Sequence, residues 1–322
     1  MASQVNTIYF PATEYQWQKN SERNLISKIK NIPSAKKVSK ARLKMQNNKP
    51  VLPVLKWAGG KRQLMTSIVS LLPENISSCK YIEPFIGGGA VLFHLQPKKA
   101  IINDFNAELI NVYSVIKNNL PGLIKDLKKH KNNADYFYKI RGMDRKSNFS
   151  DLPDIEKASR IIYLNKTCFN GLYRVNSAGE FNAPFGRYKN PTIVNEAALR
   201  AVNEYLNNNN VILLQKDFED VLKKADKNCF VYLDPPYHPI SAGSNFTGYI
   251  QGGWDTDDQV RLKKACDELN KKGARFLLSN SSTDFIKDLY KDYSITVVKA
   301  NRAINSDGGK RGRVDEVLVK NY

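Results

Sequence analysis

The stretch FVYLDPPYHPI, Phe230 to Ile240, restricts the fold more tightly than any other part of the chain. Phe230, Val231, Tyr232 and Leu233 make a short apolar run of the kind that forms a buried strand. Pro235 and Pro236 cannot donate to a sheet ladder, so the strand must stop there. Asp234 is thereby fixed at the carboxyl end of a buried strand. That end is where open α/β sheets gather their ligands.

The rest of the chain supplies such a sheet. VLPVLKWAGGKRQLMTSIVSLLP ends in a predicted helix with Leu64, Ile68, Leu71 and Leu72 on one face. YIEPFIGGGAVLFHL reads as strand, glycine loop and helix, and AIINDFNAELINVYSVI as a second strand and helix. From about 117 to 204 charged residues, Tyr and Asn dominate. Alternation returns with NVILLQKDFEDVL, NCFVYLDPPY and GARFLLSNSSTDFIKDLY. The expectation is one α/β sheet with flanking helices, drawn from 51–116 and 205–322. A mainly helical insert, 117–204, splits it. Within the insert, LYRVNSAGEFNAPFGRY predicts a hairpin turning around Asn176 to Gly179.

Composition narrows the partner. Among 322 residues, 50 Lys and Arg face 31 acids, a net charge of +19. Such an excess favours a polyanion, most simply nucleic acid. Residues 1 to 50 carry eight Lys and two Arg against two Glu, and NLISKIKNI could form a short helix. Two readings fit this extension: a solvated, partly disordered tail, or an arm lying along DNA phosphates. No long apolar run predicts a membrane span or secretory signal, which points to a cytoplasmic protein. The four cysteines and three histidines are scattered, which fits a reduced compartment and excludes a zinc-ligand pattern.

The glycine loop suggests what the sheet holds. In EPFIGGGAV, Gly87, Gly88 and Gly89 permit a tight turn and close backbone approach to a ligand. The spacing is not the dinucleotide fingerprint. In IINDFN, Asp104 ends the second strand, where an acid can accept both hydroxyls of a ribose. Together these favour a nucleoside ligand without a demanding phosphate site. Singly, each also reads as an ordinary turn or a helix cap.

Asp234 then acquires a chemical role. Its carboxylate and the Pro235 carbonyl can both accept from one exocyclic amine of a base. Such a nitrogen is a poor nucleophile because its lone pair is delocalised into the ring. Two fixed acceptors favour a pyramidal nitrogen and aim its lone pair at an incoming methyl group. Pro235 and Pro236 hold the acceptors rigid, and Tyr237 offers a stacking face. Catalysis of this kind is orientation and preorganised electrostatics.

The ordered set KWAGGK, EPFIGGGAV, NDFN, YLNKTCFNGLYRVNSAGEFNAPFGRY, YLDPPY and LLSN resembles the Dam-type, D12 class DNA adenine N6-methyltransferases. Its order is similar to the α group, in which the AdoMet motifs precede DPPY with a recognition module between them. The likeness covers roughly Pro50 to the C-terminus and says nothing about residues 1 to 50. It implies a class I AdoMet-dependent, Rossmann-like fold with the insert as target-recognition domain. It also implies S-adenosyl-L-methionine as methyl donor, S-adenosyl-L-homocysteine as product, no metal, and a flipped adenine in double-stranded DNA, with GATC as target. On this likeness Trp57, Lys61, Glu83, Pro84, Phe85, Gly87, Gly89, Asp104, Asp217 and Asp234 bind the cofactor. Asp234, Pro235, Pro236 and Tyr237 are the catalytic motif.

The same resemblance gives the insert its residues. Arg suits bidentate contact with guanine, and apolar groups suit the thymine methyl. Arg174, Leu172 and Pro184 fall where the family reads bases. Phe169 and Asn170 fall where a wedge fills the stack beside the extruded base. Lys56, Arg187 and Tyr188 fall at flanking or backbone contacts. The bland alternatives are Phe169 and Leu172 as hairpin core, Arg174 as surface charge, Trp57 as packed indole and Lys61 as solvated cation.

Other functions share parts of this pattern. A protein-glutamine or RNA amino-methyltransferase, a cytosine-N4 DNA methyltransferase and a non-catalytic DNA-binding protein on the same scaffold all stay open. Asp before the two prolines, Tyr after them and the basic insert favour DNA adenine. The chain is expected to act as a monomer, and the sequence leaves open a cognate restriction endonuclease.

Overall fold

The computed structural model describes residues 50–240, 253–301 and 313–322. NLISKIKNI and nearly all of the basic extension lie outside the described residues. In chain order the elements are α1 (Met65–Leu71), β1 (Lys80–Glu83), α2 (Ala90–Leu95), β2 (Lys99–Asn103) and α3 (Ala107–Asn118). The insert follows with α4 (Leu120–Leu127), α5 (Ala134–Arg141), α6 (Asp154–Thr167) and α7 (Glu196–Asn208). The chain then returns through β3 (Asn210–Leu214), α8 (Phe218–Leu222), β4 (Cys229–Leu233), α9 (Thr256–Lys271), β5 (Arg275–Ser281), α10 (Asp284–Leu289), β6 (Ser294–Asn301) and β7 (Arg313–Lys320). No helix among the described residues is long and apolar enough to cross a membrane.

One seven-stranded sheet runs in the order β3-β2-β1-β4-β5-β7-β6. β3, β2, β1, β4 and β5 pair in parallel, and β7 is antiparallel to both β5 and β6. All five residues of β4 are buried. Helices cover both faces of this strand, so its sequence reads as an unbroken apolar run rather than an alternation. Phe230 and Tyr232 enter one core with Tyr81, Leu277 and Leu318. Val231 and Leu233 enter the other with Ile82, Leu278 and Val319. The first core takes the inward faces of α1 to α7, and the second those of α8, α9 and α10.

The insert shares the first core. Leu123, Phe137, Ile161, Phe181 and Val202 belong to the same apolar cluster as Tyr81 and Phe230. α7 packs against α3 and β3, and the boundary expected at 204–205 falls inside it. The hairpin turns where the sequence places it. Gly179 adopts φ +80°, and its N–H reaches the Asn176 carbonyl at 2.9 Å. Its pairing is sparser than a regular ladder, with isolated bridges at Val175–Phe181 and Cys168–Phe185. Asn170 and Gly171 are both left-handed, and Pro184 has no N–H to give.

Gly89 shows how tightly the first loop is built. It has φ +72°, and a Cβ there would lie 2.6 Å from the Phe93 ring. Gly89→Ala is therefore expected to destabilise the chain by about 1–3 kcal/mol. Denaturant unfolding checks this, with a lower midpoint and an unchanged slope expected; an unchanged midpoint would mean that the loop has room to yield.

Candidate active site

Strand order reverses direction between β1 and β4, which lie side by side at the centre of the sheet. β1 leads outward to β2 and β3, and β4 outward to β5. Such a switch point opens a crevice at the carboxyl ends of the strands. β1 delivers Glu83 and the glycine loop there; β4 delivers Asp234.

The glycine loop closes onto β2. Ile86 donates its N–H to the Asn103 carbonyl at 2.8 Å, and Gly87 donates to Asp104 Oδ2 at 3.0 Å. Asp104 Oδ1 accepts from the Asn106 N–H at 3.0 Å. Burial pushes the Asp104 carboxyl up to about 6, against the lowering effect of the amides of Asn106, Gly87 and Phe105. Gly87, at φ +47°, has no room for a side chain, because a Cβ would meet the Trp57 indole at 2.9 Å. Asn103 ties three strand ends together: its amide donates to the carbonyls of Pro84 and Lys216 at 2.9 and 3.0 Å, and its oxygen accepts from Lys216 N–H at 2.8 Å. The clue to this clamp was a polar residue closing the apolar run of β2, and the sequence reading passed over it. Phe105, directly after Asp104, is 58% exposed.

Around Asp234 the contacts are polar and close. Lys61 Nζ lies 2.8 Å from Asp234 Oδ1, with the lysine side chain only 5% exposed. The solvated-cation reading of Lys61 is thus overturned. Ser279 Oγ donates to the same oxygen at 2.9 Å. Burial raises the Asp234 carboxyl above its usual range, and Lys61 and Ser279 oppose the rise. Lys61 also donates to the Gly59 carbonyl and sits 4.7 Å from the centroid of the Tyr237 ring, over one face. The Tyr237 hydroxyl donates to Glu316 at 2.8 Å. Among the described residues no hydrogen bond reaches the Pro235 carbonyl.

A second set of bonds pins the DPPY turn from β5 and α9. Gln259 Nε2 donates to the Pro236 carbonyl at 2.9 Å, and Asn280 Nδ2 donates to Gln259 Oε1 at 3.0 Å. His238 N–H reaches Asn280 Oδ1 at 3.0 Å, and Ser281 Oγ donates to the His238 carbonyl at 2.7 Å. Sequence reasoning gave no role to Gln259, Asn280 or Ser281. Gln259 left a trace, standing on the buried stripe of α9 with Leu262, Cys266 and Leu269.

The remaining expected cofactor residues divide. Glu83 is buried, accepts from Tyr81 at 2.8 Å, and has its carboxyl raised well above normal by burial. Pro84 is buried beside it. Phe85 packs with Phe218 and Trp254, each pair with ring centroids 5.5 Å apart. Asp217 caps α8 through the Glu219 N–H and pairs with Arg261 at 3.2 Å. Trp57 is half-buried and stacks on Tyr173 at 4.8 Å.

The hairpin sorts its residues by alternation. Tyr173, Val175, Phe181 and Ala183 are buried; Leu172, Arg174, Asn182 and Pro184 face outward, wholly or in part. Leu172, Arg174 and Pro184 are therefore brought to one side. Arg174 Nε donates to Asn182 Oδ1 at 2.6 Å. Phe169 is 56% exposed, so the hairpin-core reading fails for it. Asn170, beside it, is left-handed at φ +58°. Lys56 and Arg187 are exposed. Asn165 bolts this region to the KWAGGK segment before α1, accepting from Lys56 N–H at 2.9 Å and donating to the Lys56 and Gly171 carbonyls at 2.7 and 3.0 Å.

Residues 57–304 match the family model for D12 class N6 adenine-specific DNA methyltransferases. The chain belongs to this family. A Type II methyltransferase of Lactococcus lactis subsp. cremoris is 45% identical over 281 residues, covering 86% of this chain and 98% of the relative. A Type II methyltransferase of Methanocaldococcus jannaschii is 44% identical over 290 residues, with 84% and 99% covered. The DNA adenine methylase of Escherichia coli K12 is 35% identical over 269 residues, with 82% and 93% covered. The sheet and its flanking helices are those of a class I AdoMet-dependent methyltransferase. Of the activities left open by the sequence, adenine N6 methylation is the one this D12 methyltransferase carries.

The raised Asp104 carboxyl has a measurable consequence. Its folded value is about 6, and an unfolded aspartate titrates near 4. Between these values the folded chain holds a proton that the unfolded chain has lost. This contribution to stability is full below about pH 4 and lost as the pH rises through about 6. The ligand-free protein should therefore gain on the order of 1 kcal/mol relative to Asp104→Asn when the pH falls from 7 to 5. Denaturant unfolding of both proteins at the two pH values tests this. A constant difference between them would place Asp104 in an ordinary solvated setting.

Proposed function

We propose that this methyltransferase modifies adenine within GATC and that Asp234 organises the reacting amine. The observation that carries the reading is the state of Asp234. It stands at the switch point, next to the glycine loop, and among the described residues Lys61 and Ser279 both meet it at Oδ1. Oδ2 and the Pro235 carbonyl are then the two acceptors for the N6 amine. The Lys61 and Ser279 contacts and the Gln259–Asn280 mesh hold that pair of acceptors still while the nitrogen becomes pyramidal. The Tyr237 face away from Lys61 suits the flipped base.

The cofactor pocket fits S-adenosyl-L-methionine by its donor set. Asp104 supplies a carboxylate for ribose hydroxyls, and the glycine loop lets backbone approach the ligand without cations for phosphates. Glu83 and Asp234 supply carboxyl oxygens for an amino group, and a cationic sulfonium beside them would favour their charged forms against the rise that burial causes. When bound, the cofactor provides an electrophilic methyl group. Trp57 and the three glycines shape the pocket wall, and Phe105 offers an exposed ring beside the ribose acid. Asp217 and the Phe85–Phe218 pair border the adenine end.

On this reading residues 117–204 serve as the target-recognition module, with Arg174 on a guanine and Leu172 and Pro184 against a thymine methyl. Phe169 and Asn170 fill the gap left by the flipped base, and Lys56 and Arg187 hold flanking positions. The chain works as a monomer, since one chain carries both the reading hairpin and the reacting acid. The basic extension adds phosphate contacts that position without specifying. A paired endonuclease is consistent with the Type II relatives.

Methylation rates on a GATC duplex and on duplexes altered at single positions test the target. Arg174→Ala is expected to lose about 1–3 kcal/mol of discrimination at one guanine and little elsewhere. An equal loss on every duplex would make Arg174 a phosphate contact, and a best duplex other than GATC would displace the proposed site.

A further inference from the structure

The hairpin is anchored from behind by charges that the reaction does not use. Arg160 on α6 is 1% exposed. Its Nε donates to the Ile140 carbonyl at 3.0 Å and one terminal nitrogen to the Arg141 carbonyl at 2.9 Å. The guanidinium also spans two carboxylates, Glu108 Oε1 at 3.1 Å and Asp144 Oδ2 at 2.5 Å. Phe149 lies under it, with the ring centroid 5.1 Å away. A buried ion triad of this kind is weak support for stability, since apolar residues of similar volume often serve as well. Its value must be sought in what it positions.

Each carboxylate passes the contact on to one arm of the hairpin. Glu108 Oε2 accepts from the Tyr173 hydroxyl at 3.0 Å. Asp144 Oδ2 accepts from the Phe181 N–H at 2.7 Å. Arg145 completes that grip, donating to Asp144 Oδ1 at 2.8 Å and to the Phe181 carbonyl at 3.0 Å. Tyr173 and Phe181 are the inward residues directly before Arg174 and Asn182. Strand alternation thus transmits any shift of the inward pair to the outward pair, Arg174 and its partner Asn182. The other end of the triad meets the cofactor side. Glu108 stands in the first turn of α3, four residues after Asp104, and the Tyr173 ring stacks on Trp57 against the glycine loop.

We infer that Glu108, Arg160 and Asp144 are positioning residues for target discrimination, setting the recognition hairpin in register with the cofactor loop. This rests on the hairpin reading bases as proposed above. Because Tyr173 stacks on Trp57, Trp57 lies against Gly87, and Gly87 donates to Asp104, cofactor occupancy and hairpin posture are coupled. Coupling between two binding events is reciprocal. The bound product should therefore sharpen the choice of duplex, and the best duplex should tighten the product.

The test uses the full chain, with Asp144→Asn and Tyr173→Phe. The first keeps the side-chain shape but removes the charge facing Arg160; the second keeps the Trp57 stack but removes the bond to Glu108. Affinities for the best duplex and for singly altered duplexes are measured with and without S-adenosyl-L-homocysteine, alongside kcat and KM. Wild type should prefer one duplex, more strongly with the product bound. Each variant should lose about tenfold of that preference, the scale of one hydrogen bond to a charged group. For Asp144→Asn the loss should fall on KM for DNA, with kcat at saturating duplex within about twofold. Unchanged preference in folded variants would overturn the inference, as would an equal loss on every duplex, which marks a merely structural role. Were Asp144→Asn to fail to fold, Tyr173→Phe decides alone. A wild-type protein with no preferred duplex would overturn the base-reading assignment along with the inference, and that result is visible before any variant is made.

Discussion

Tyr81 pairs with Phe230 and Ile82 with Val231 at the centre of the sheet. This parallel register brings the ends of β1 and β4 to one crevice. The glycine loop leaves from one end and the DPPY turn from the other. Neither could be moved by a residue without turning every side chain of its strand to the opposite face. The helices on both faces enforce that register, because Phe230 and Tyr232 belong to one core and Val231 and Leu233 to the other. The glycine loop and the DPPY turn are thus held a strand apart by packing, before any polar contact is made.

Polar contacts then set the electrostatics. Lys61 and Asp234 form a largely buried pair, and desolvation makes such a pair a poor source of stability. Its use is geometric: the lysine occupies one oxygen of the acid and one face of Tyr237. Ser279, Asn280 and Gln259 complete the frame from β5 and α9. Orientation of a weak nucleophile needs this kind of rigidity more than it needs a strong base. The same economy recurs under the hairpin, where Arg160 bridges Glu108 and Asp144.

Much of this was legible in the sequence because strand ends announce themselves. Pro235 and Pro236 stop β4, Asn176 to Gly179 turn the hairpin, and three glycines follow β1. Each is a local backbone requirement, visible without any partner. What stayed hidden depends on contacts distant in sequence. Asn103 meets Pro84 and Lys216; Gln259 meets Pro236 and Asn280; Arg160 meets Glu108 and Asp144. A polar residue on an apolar stripe signals that a partner exists but not which one. Lys61 was nearly lost for the same reason, since a lysine after two glycines reads as solvated until Asp234 is beside it. The unity of the insert with the sheet was also hidden. Its composition differs from the flanking regions, yet its apolar residues join the same core.

The most direct test of the central claim is to incubate the protein with S-adenosyl-L-methionine and duplex DNA, then identify the modified nucleoside by mass spectrometry. Asp234→Asn is run beside the wild type, with its affinity for duplex and for S-adenosyl-L-homocysteine measured in parallel. The expected result is N6-methyladenine from the wild type and none from the variant, which still binds both ligands. N4-methylcytosine from the wild type, or near-normal turnover by a folded Asp234→Asn protein, would contradict the account.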